Sequence, residues 1–162
     1  MKRLLVFNLL FATAAIAGDI GRYNVVWDSP STDATGSMPL SGGNLGLNVW
    51  VEGDDLLFYI GSPDSRTEDQ KLVKLGRVRM SFSSSPFRKN FKQELDLAES
   101  CIRITGDGVA LRLWVDAFQP VVHVEMKSQK PVTASVAYES WRFEAKPVFG
   151  GLEWHYRLDP AQ

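Results

Sequence analysis

An alternation of apolar and polar residues with a period of two dominates residues 45–60. In residues 45–52, LGLNVWVE, Leu or Val occupies every other position, with Gly, Asn, Trp and Glu between them. Residues 56–60, LLFYI, continue the period after Gly53 and Asp54. Because successive side chains of a strand point to opposite faces, each segment has one apolar face. Gly-Asp between alternating segments is typical of a tight hairpin turn. The pattern therefore predicts a central β-hairpin with one buried face.

The rest of the chain repeats this pattern in short segments. They are residues 23–28, 75–82, 91–97, 101–105, 109–116, 121–127 and 132–139. Turns rich in Gly, Pro, Ser and Asp separate them, and no segment has a sustained helical period. Many short strands with close turns are typical of an all-β sandwich or barrel, and strands joined by short turns are antiparallel. We predict an all-β, antiparallel two-sheet β-sandwich (supersandwich-like) of eight or nine strands.

The shared alternation also predicts which side chains form the core between the two sheets. The predicted core residues are Leu47, Val49, Val51, Phe58, Ile60, Val78, Met80, Leu111, Leu113 and Val136. The single cysteine, Cys101, has no partner for an internal disulfide and is interpreted as a small buried hydrophobic residue.

The first 17 residues have the organisation of a signal peptide. Lys2 and Arg3 precede an apolar stretch at residues 4–16, and Ala15-Ile16-Ala17 is a cleavage site of the small-x-small type. The apolar stretch is too short to span a bilayer comfortably. We therefore expect cleavage after Ala17 and a periplasmic or extracellular location.

The charge of the mature chain argues against nucleic acid as a partner. Cleavage lowers the basic residues from 18 to 16 against 19 acidic residues, which leaves a net charge of −3. A mildly acidic protein lacks the basic surface that binds phosphate backbones. No later segment approaches membrane-spanning length, and no membrane partner is predicted.

Several motifs, in order, resemble the start of a known family. They are VVWD at 25–28, MPLSGGNLG at 38–46, NVWVE at 48–52, LLFYIG at 56–61 and LGRVR at 75–79. They are similar to the N-terminal β-sandwich of bacterial family 95-like (α-L-fucosidase-type) glycoside hydrolases, and more so to the N-terminal "domain of unknown function 5703" of secreted bacterial proteins. The resemblance covers residues 23–142. Where the family usually has Gly-Asn-Gly, this chain has Ser41-Gly42-Gly43-Asn44.

The resemblance implies a supporting function. In the family, the catalytic carboxylates belong to a helical barrel that follows the sandwich, and no position of this chain matches them. We therefore expect a signal peptide at 1–17, a β-sandwich at 18–143, and a truncated continuation or linker at 144–162. The expected partner is a helical-barrel catalytic domain downstream of this chain, and the chain by itself is expected to be inactive. The alternative is a freestanding carbohydrate-binding module, for which the partner is a glycan.

Six residues are candidates for contact with a carbohydrate or with another domain. Aromatic rings stack on the apolar faces of sugars, and polar side chains bind the hydroxyl groups. Trp50 and Trp114 fall on the polar phase of their strands, and two further tryptophans lie near strand ends. Asn44 belongs to the Gly-rich turn, and Asp64 to the long polar connection at 62–74. The candidates are Trp27, Asn44, Trp50, Asp64, Trp114 and Trp141.

The sequence predicts no metal, cofactor or catalytic residue. His123 and His155 are far apart in sequence, and no metal-ligand spacing is present. The acidic residues Asp64, Glu68 and Asp69 lack the glycine turn and ligand alternation of a calcium-binding loop. The connection at 62–74 is long for a compact domain, so a functional loop and a solvated connection both remain open.

Overall fold

The protein folds into two β-sheets that pack face to face. A computed structural model describes residues 19–66, 70, 72–73 and 75–140, with the backbone of residues 142–148 and 151–156. The strands of the sandwich are β1 Val25–Trp27, β2 Met38–Gly42, β3 Leu45–Glu52, β4 Asp55–Gly61, β5 Gly76–Phe82, β6 Lys92–Asp96, β7 Cys101–Gly106, β8 Val109–Val115, β9 Val122–Ser128 and β10 Ala134–Glu139. Beyond them, β11 Arg142–Val148 and β12 Gly151–Tyr156 pair as an antiparallel hairpin.

Each sheet of the sandwich contains five strands. Sheet A has the order β1-β6-β7-β8-β9, and sheet B has the order β10-β5-β4-β3-β2. All neighbouring strands within the two sheets are antiparallel. The predicted all-β, two-sheet antiparallel sandwich is confirmed. Sequence alone predicted eight or nine strands, whereas the two sheets contain ten.

Strand β2 is the one that the alternation missed. It contains Pro39, which lacks a backbone N–H, and it ends in Ser41 and Gly42, so its sequence does not look like a strand. The structure tolerates Pro39 because β2 is the edge strand of sheet B and pairs on one side only, with β3.

The central hairpin forms as predicted. Residues Glu52 and Asp55 pair across a two-residue turn, in which Gly53 has a φ of +59°. This is the backbone region that glycine enters without a steric penalty. The register places Val49 opposite Phe58, so that the apolar faces of β3 and β4 coincide.

The inward faces of both sheets form one hydrophobic core. Its fully buried members include residues from both sheets, among them Val49, Leu56, Ile102, Ile104 and Leu113, each 0% exposed. A hydrogen bond of 3.2 Å from the side-chain amide of Gln93 in β6 to the carbonyl oxygen of Val49 in β3 also joins the sheets. Burying this polar side chain is tolerated because its amide has a partner.

Nine of the ten predicted core residues lie in this core. Seven are buried, and Ile60 and Val78 are partly buried against the others. The prediction for Val136 is wrong, because this side chain is 64% exposed. Val136 pairs with Met80 and has the inward phase, but β10 is the edge strand of sheet B and sheet A does not cover it there. The interpretation of Cys101 as a buried free cysteine is confirmed.

Antiparallel pairing gives the sandwich two different ends. We define the closed end by its five connections, residues 28–37, 53–54, 83–91, 107–108 and 129–133. Several contacts join them: Arg88 forms an ion pair of 2.6 Å with Asp54, and the N–H of Asp107 donates to the carbonyl oxygen of Pro86 at 2.7 Å. We define the loop end by residues 43–44, 62–75, 97–100 and 116–121 and by the end of β10. At the loop end, Gly42 of sheet B lies close to Val115 of sheet A. A Cβ atom on Gly42 would lie only 2.6 Å from the carbonyl oxygen of Val115, so a larger side chain does not fit there.

A pair of valine substitutions tests which side chains form the core. We expect Val49→Ala to lower the free energy of unfolding by about 2 kcal/mol, since it removes two buried methyl groups and leaves a cavity. The matched change Val136→Ala should cost less than about 0.5 kcal/mol, because the side chain is mostly in solvent. Urea unfolding of both variants measures the difference. Equal destabilisation by the two changes would contradict the assignment.

Candidate functional site

The structure separates the six candidate residues instead of assembling them into one site. Trp141 lies outside the described residues. The other three tryptophans pack against side chains of the sandwich itself. Among the described candidates, only Asn44 and Asp64 contact each other.

Trp50 is buried inside the protein and does not present its side chain at the surface. Its side chain has the outward phase of sheet B but is 0% exposed. It packs with Leu57 and with Tyr59, whose ring centroid lies 4.8 Å away, and the indole N–H donates to Glu52 at 3.0 Å. Ala34, in the connection between β1 and β2, packs against this cluster. The alternation along a strand predicts which face a side chain is on, but not whether another segment covers that face.

Trp27 packs against the main core. It is partly buried against the inward face residues and pairs with Gln93 across β1 and β6. Its outer part lines an open cavity of about 370 Å³ beside residues 28–31 and Gly36. The tryptophan therefore contributes to the core and to the wall of a shallow surface depression.

Trp114 lies on the outward face of sheet A in a ladder of side chains. Its ring stacks on His123 with a centroid distance of 4.8 Å and an interplanar angle of 10°. The guanidinium of Arg112 lies over the same indole, 5.1 Å from the ring centroid. His123 also approaches Asp116, with 3.7 Å between Nε2 and Oδ2. Because neighbouring side chains already contact the indole, Trp114 does not offer an open platform for a sugar ring.

Asn44 and Asp64 meet at the loop end. The side-chain amide of Asn44, in the turn between β2 and β3, donates to Oδ2 of Asp64 at 2.7 Å. The backbone of Asp64 is held by a hydrogen bond to the hydroxyl of Ser62 at 3.2 Å. Gly43, the other turn residue, has a φ of +53°. The order Gly43-Asn44 thus forms a two-residue turn with glycine at the position that needs a positive φ.

The connection at 62–74 is partly described. Arg66 and Leu72 form an isolated antiparallel bridge, and the guanidinium of Arg66 donates to the carbonyl oxygens of Pro63 at 3.2 Å and Gln70 at 2.9 Å. Glu68 and Asp69 lie outside the described residues. The described part of this connection therefore has its own internal hydrogen bonds.

Phe118 is the exposed residue that sequence reasoning missed. It lies in the connection between β8 and β9 and is 97% exposed. Oδ1 of Asp116 accepts hydrogen bonds from the N–H groups of Phe118 at 2.8 Å and Gln119 at 3.0 Å. These hydrogen bonds hold the pKa of Asp116 below its usual range. The sequence signal was an aromatic residue between an aspartate and a proline, a turn context in which no core position is expected.

An ion network lies on the outward face of sheet B. Glu139 of β10 accepts from Nε of Arg77 at 2.5 Å and from Nε of Arg79 at 2.7 Å, and Arg79 also binds Asp55 at 2.6 Å. Partial burial alone would raise the pKa of Glu139, but the hydrogen bonds from both arginines outweigh it and the pKa lies below its ordinary value. The network ties β10 to β5 and β4.

A cleft of about 490 Å³ opens beside the edge strand β2. Four leucines and one proline form half of its lining residues, and Gly46 and four polar residues form the rest. The lining residues are Pro39, Leu40, Ser41, Gly46, Leu47, Asn48, Leu95, Asp96, Leu97 and Ser100. Asp96 already binds Arg103, with 3.1 Å between its Oδ2 and Nε of the arginine. The cleft has the size of a small-ligand site but no aromatic wall.

The described residues contain neither a metal-binding cluster nor a membrane-spanning helix. In that part of the chain, no group of three or more His, Cys, Asp or Glu side chains could hold a metal ion. None of the helices described there is long and apolar enough to cross a membrane.

Comparison with known proteins finds one family. The family model described as Domain of unknown function (DUF5703) matches residues 26–157. The match includes every strand of the sandwich except the first residue of β1, and it extends through β11 and β12. It confirms the resemblance to this group that the sequence motifs predicted. No curated protein matches the chain.

The pH dependence of stability tests the ion network. Because the pKa of Glu139 is lower in the folded state, its ionised form stabilises the fold above the unfolded value of about 4.3, and this contribution disappears as the pH falls through the folded pKa. We expect Glu139→Gln to cost about 1 kcal/mol at pH 7 and progressively less as the pH falls through the folded pKa of Glu139.

The control is Glu125→Gln. Glu125 pairs with Lys127 at 3.4 Å but is 45% exposed, so its loss should change stability by less than about 0.5 kcal/mol. Urea unfolding at several pH values measures both variants. A cost for Glu139→Gln that does not change with pH would argue against a role for its charge.

Proposed function

The chain belongs to the family described as Domain of unknown function (DUF5703), and we propose that it is a non-catalytic supporting domain of a secreted, glycoside hydrolase-like protein. In this proposal the active site lies in a helical-barrel domain, against which the sandwich packs. The signal-peptide pattern of residues 1–17 supports export to the periplasm or the exterior. The motif resemblance to family 95-like glycosidases supports the enzymatic partner.

The observation that carries the proposal is that six of the described carboxylates are held by hydrogen bonds within the sandwich itself. Glycoside hydrolysis requires one carboxyl group with a raised pKa as the acid and a second as base or nucleophile. Among the described residues, the carboxyl groups whose pKa departs from its ordinary value are all shifted downward. They are Asp33, Asp54, Glu94, Asp96, Asp116 and Glu139. The partners responsible are arginines, a lysine, a histidine, neutral polar side chains and backbone N–H groups of the same fold.

The tryptophans favour the supporting domain over a freestanding carbohydrate-binding module. A sugar-binding platform needs exposed aromatic faces, whereas Trp50 is buried and Trp27 packs on the core. Trp114 is in contact with His123 and Arg112. The described part of the chain therefore has no open pair of coplanar tryptophans.

An activity assay tests the proposal. We expect residues 18–162, purified, to hydrolyse aryl α-fucosides, aryl α-galactosides and natural α-linked oligosaccharides no faster than buffer. The acid and base of an inverting glycosidase stand about 6.5–9.5 Å apart on a rigid scaffold, and the loss of such positioning removes orders of magnitude in rate. A complete family 95-like glycosidase is the positive control.

Two outcomes would contradict the supporting function. Turnover that Asp64→Asn abolishes would indicate an active site built on the connection at 62–74. Calorimetric binding of an oligosaccharide that is lost in Trp114→Ala would instead support the carbohydrate-binding module.

A further inference from the structure

Exposed apolar side chains are concentrated at one end of the sandwich. Among the described residues, ten large hydrophobic side chains are exposed. Five of them lie in the connections of the loop end or at the end of β10: Leu72, Leu75, Phe118, Val121 and Tyr138. None lies in the five connections of the closed end, all of which are described. Exposed apolar groups collected on one side of a domain mark an interaction surface.

The most exposed of these residues is held in a defined position. Asp116 accepts the N–H groups of Phe118 and Gln119, and its own N–H donates to the carbonyl oxygen of Val121 at 2.9 Å. The turn between β2 and β3 packs closely against this loop, since a Cβ atom on Gly43 would lie 3.2 Å from the carbonyl oxygen of Ala117. A side chain presented by an ordered loop loses little conformational freedom on binding, which favours affinity.

The shape of this surface favours a protein over a sugar. Ligand sites for small molecules are concave and contain convergent polar groups. Phe118 protrudes instead, with 97% of its surface in solvent, and the nearby polar side chains Asn44 and Asp64 are bonded to each other. Aromatic side chains are enriched at protein interfaces, where a few residues that fill pockets of the partner carry most of the binding energy.

Connectivity and charge indicate what kind of protein fits. Strand β10 ends at Glu139 on the loop end, so the polypeptide that leads through β11 and β12 to any later domain leaves the sandwich beside this surface. The hydroxyl of Tyr138 donates to the carbonyl oxygen of Leu75, which ties the end of β10 to the connection at 62–75. Asp116 accepts the N–H groups of the Phe118 loop and Asp64 is bonded to Asn44, so both of these carboxylates lie at the loop end. A complementary surface has an apolar pocket with a basic or N–H-donating rim.

We propose that the loop end is the docking surface of the sandwich and that Phe118 inserts into an apolar pocket of the domain that follows it in the longer protein. The inference rests on the proposed function, because it takes the helical-barrel domain as the partner. It adds the face, the anchoring residue and the chemistry of the pocket.

A binding measurement with a separately expressed domain tests the inference. The probe is the helical-barrel domain of a longer, family 95-like protein that carries a DUF5703-type sandwich, added to the exported chain in a calorimeter. We expect Phe118→Ala to weaken binding at least about tenfold, as at an interface hot spot. Phe118→Leu should retain most of the affinity, since it keeps an apolar side chain. The control Val136→Ala, an exposed apolar side chain in the middle of β10, should change it less than twofold.

The possible outcomes separate the docking surface from the supporting function. Binding that Phe118→Ala leaves unchanged would overturn the docking surface and leave the supporting function intact. An unaltered melting temperature of Phe118→Ala excludes misfolding as the cause of any loss. If the wild-type chain does not bind the barrel, both proposals fail. Self-association of the chain that Phe118→Ala abolishes, or oligosaccharide binding with the same dependence, would assign the surface to another occupant.

Discussion

Burial of the inward faces of the two sheets holds this protein together, and a spacing of two residues decides which side chains share that burial. Val49 in β3 and Phe58 in β4 stand opposite each other, and Leu113 in β8 reaches the same core from the other sheet. The amide of Gln93 bonds to the backbone of β3 across the interface. Because one core includes both sheets, the connections at either end are carried by a common rigid framework.

The alternation predicted the fold class and most of the core, but it could not predict which sheet faces are covered by other parts of the chain. A period of two assigns each side chain to a face and says nothing about what lies over that face. Val136 has the inward phase and is exposed because no strand of sheet A reaches it. Trp50 has the outward phase and is buried because the connection after β1 crosses it. Strand β2 was missed because Pro39 is compatible only with an edge, and edges are a property of sheet order.

The candidate site was predicted in part for a related reason. Asn44 and Asp64 were selected separately and proved to be hydrogen-bonded, because antiparallel order brings their connections to one end of the sandwich. Phe118 is not predictable as a contact residue from the sequence, because a single phenylalanine in a turn resembles neither a core position nor a sugar-binding tryptophan. Its exposure follows from the hydrogen bonds of Asp116 and from the close approach of Gly42 to Val115. The approach of Gly42 to Val115 is a contact between distant parts of the chain, and a local sequence pattern does not contain such contacts.

The two ends of the sandwich differ in the exposure of apolar side chains, and this difference is consistent with a partner domain that binds at the loop end. Contacts such as the ion pair of Arg88 with Asp54 join the connections of the closed end, whereas the loop end leaves apolar side chains in solvent. Hydrogen–deuterium exchange of the sandwich, free and bound to the helical-barrel domain, tests this account most directly. The account predicts slower exchange at residues 43–44 and 116–121 in the complex, and unchanged exchange at residues 53–54 and 107–108. Slower exchange at the closed end, with the loop end unaffected, would contradict it.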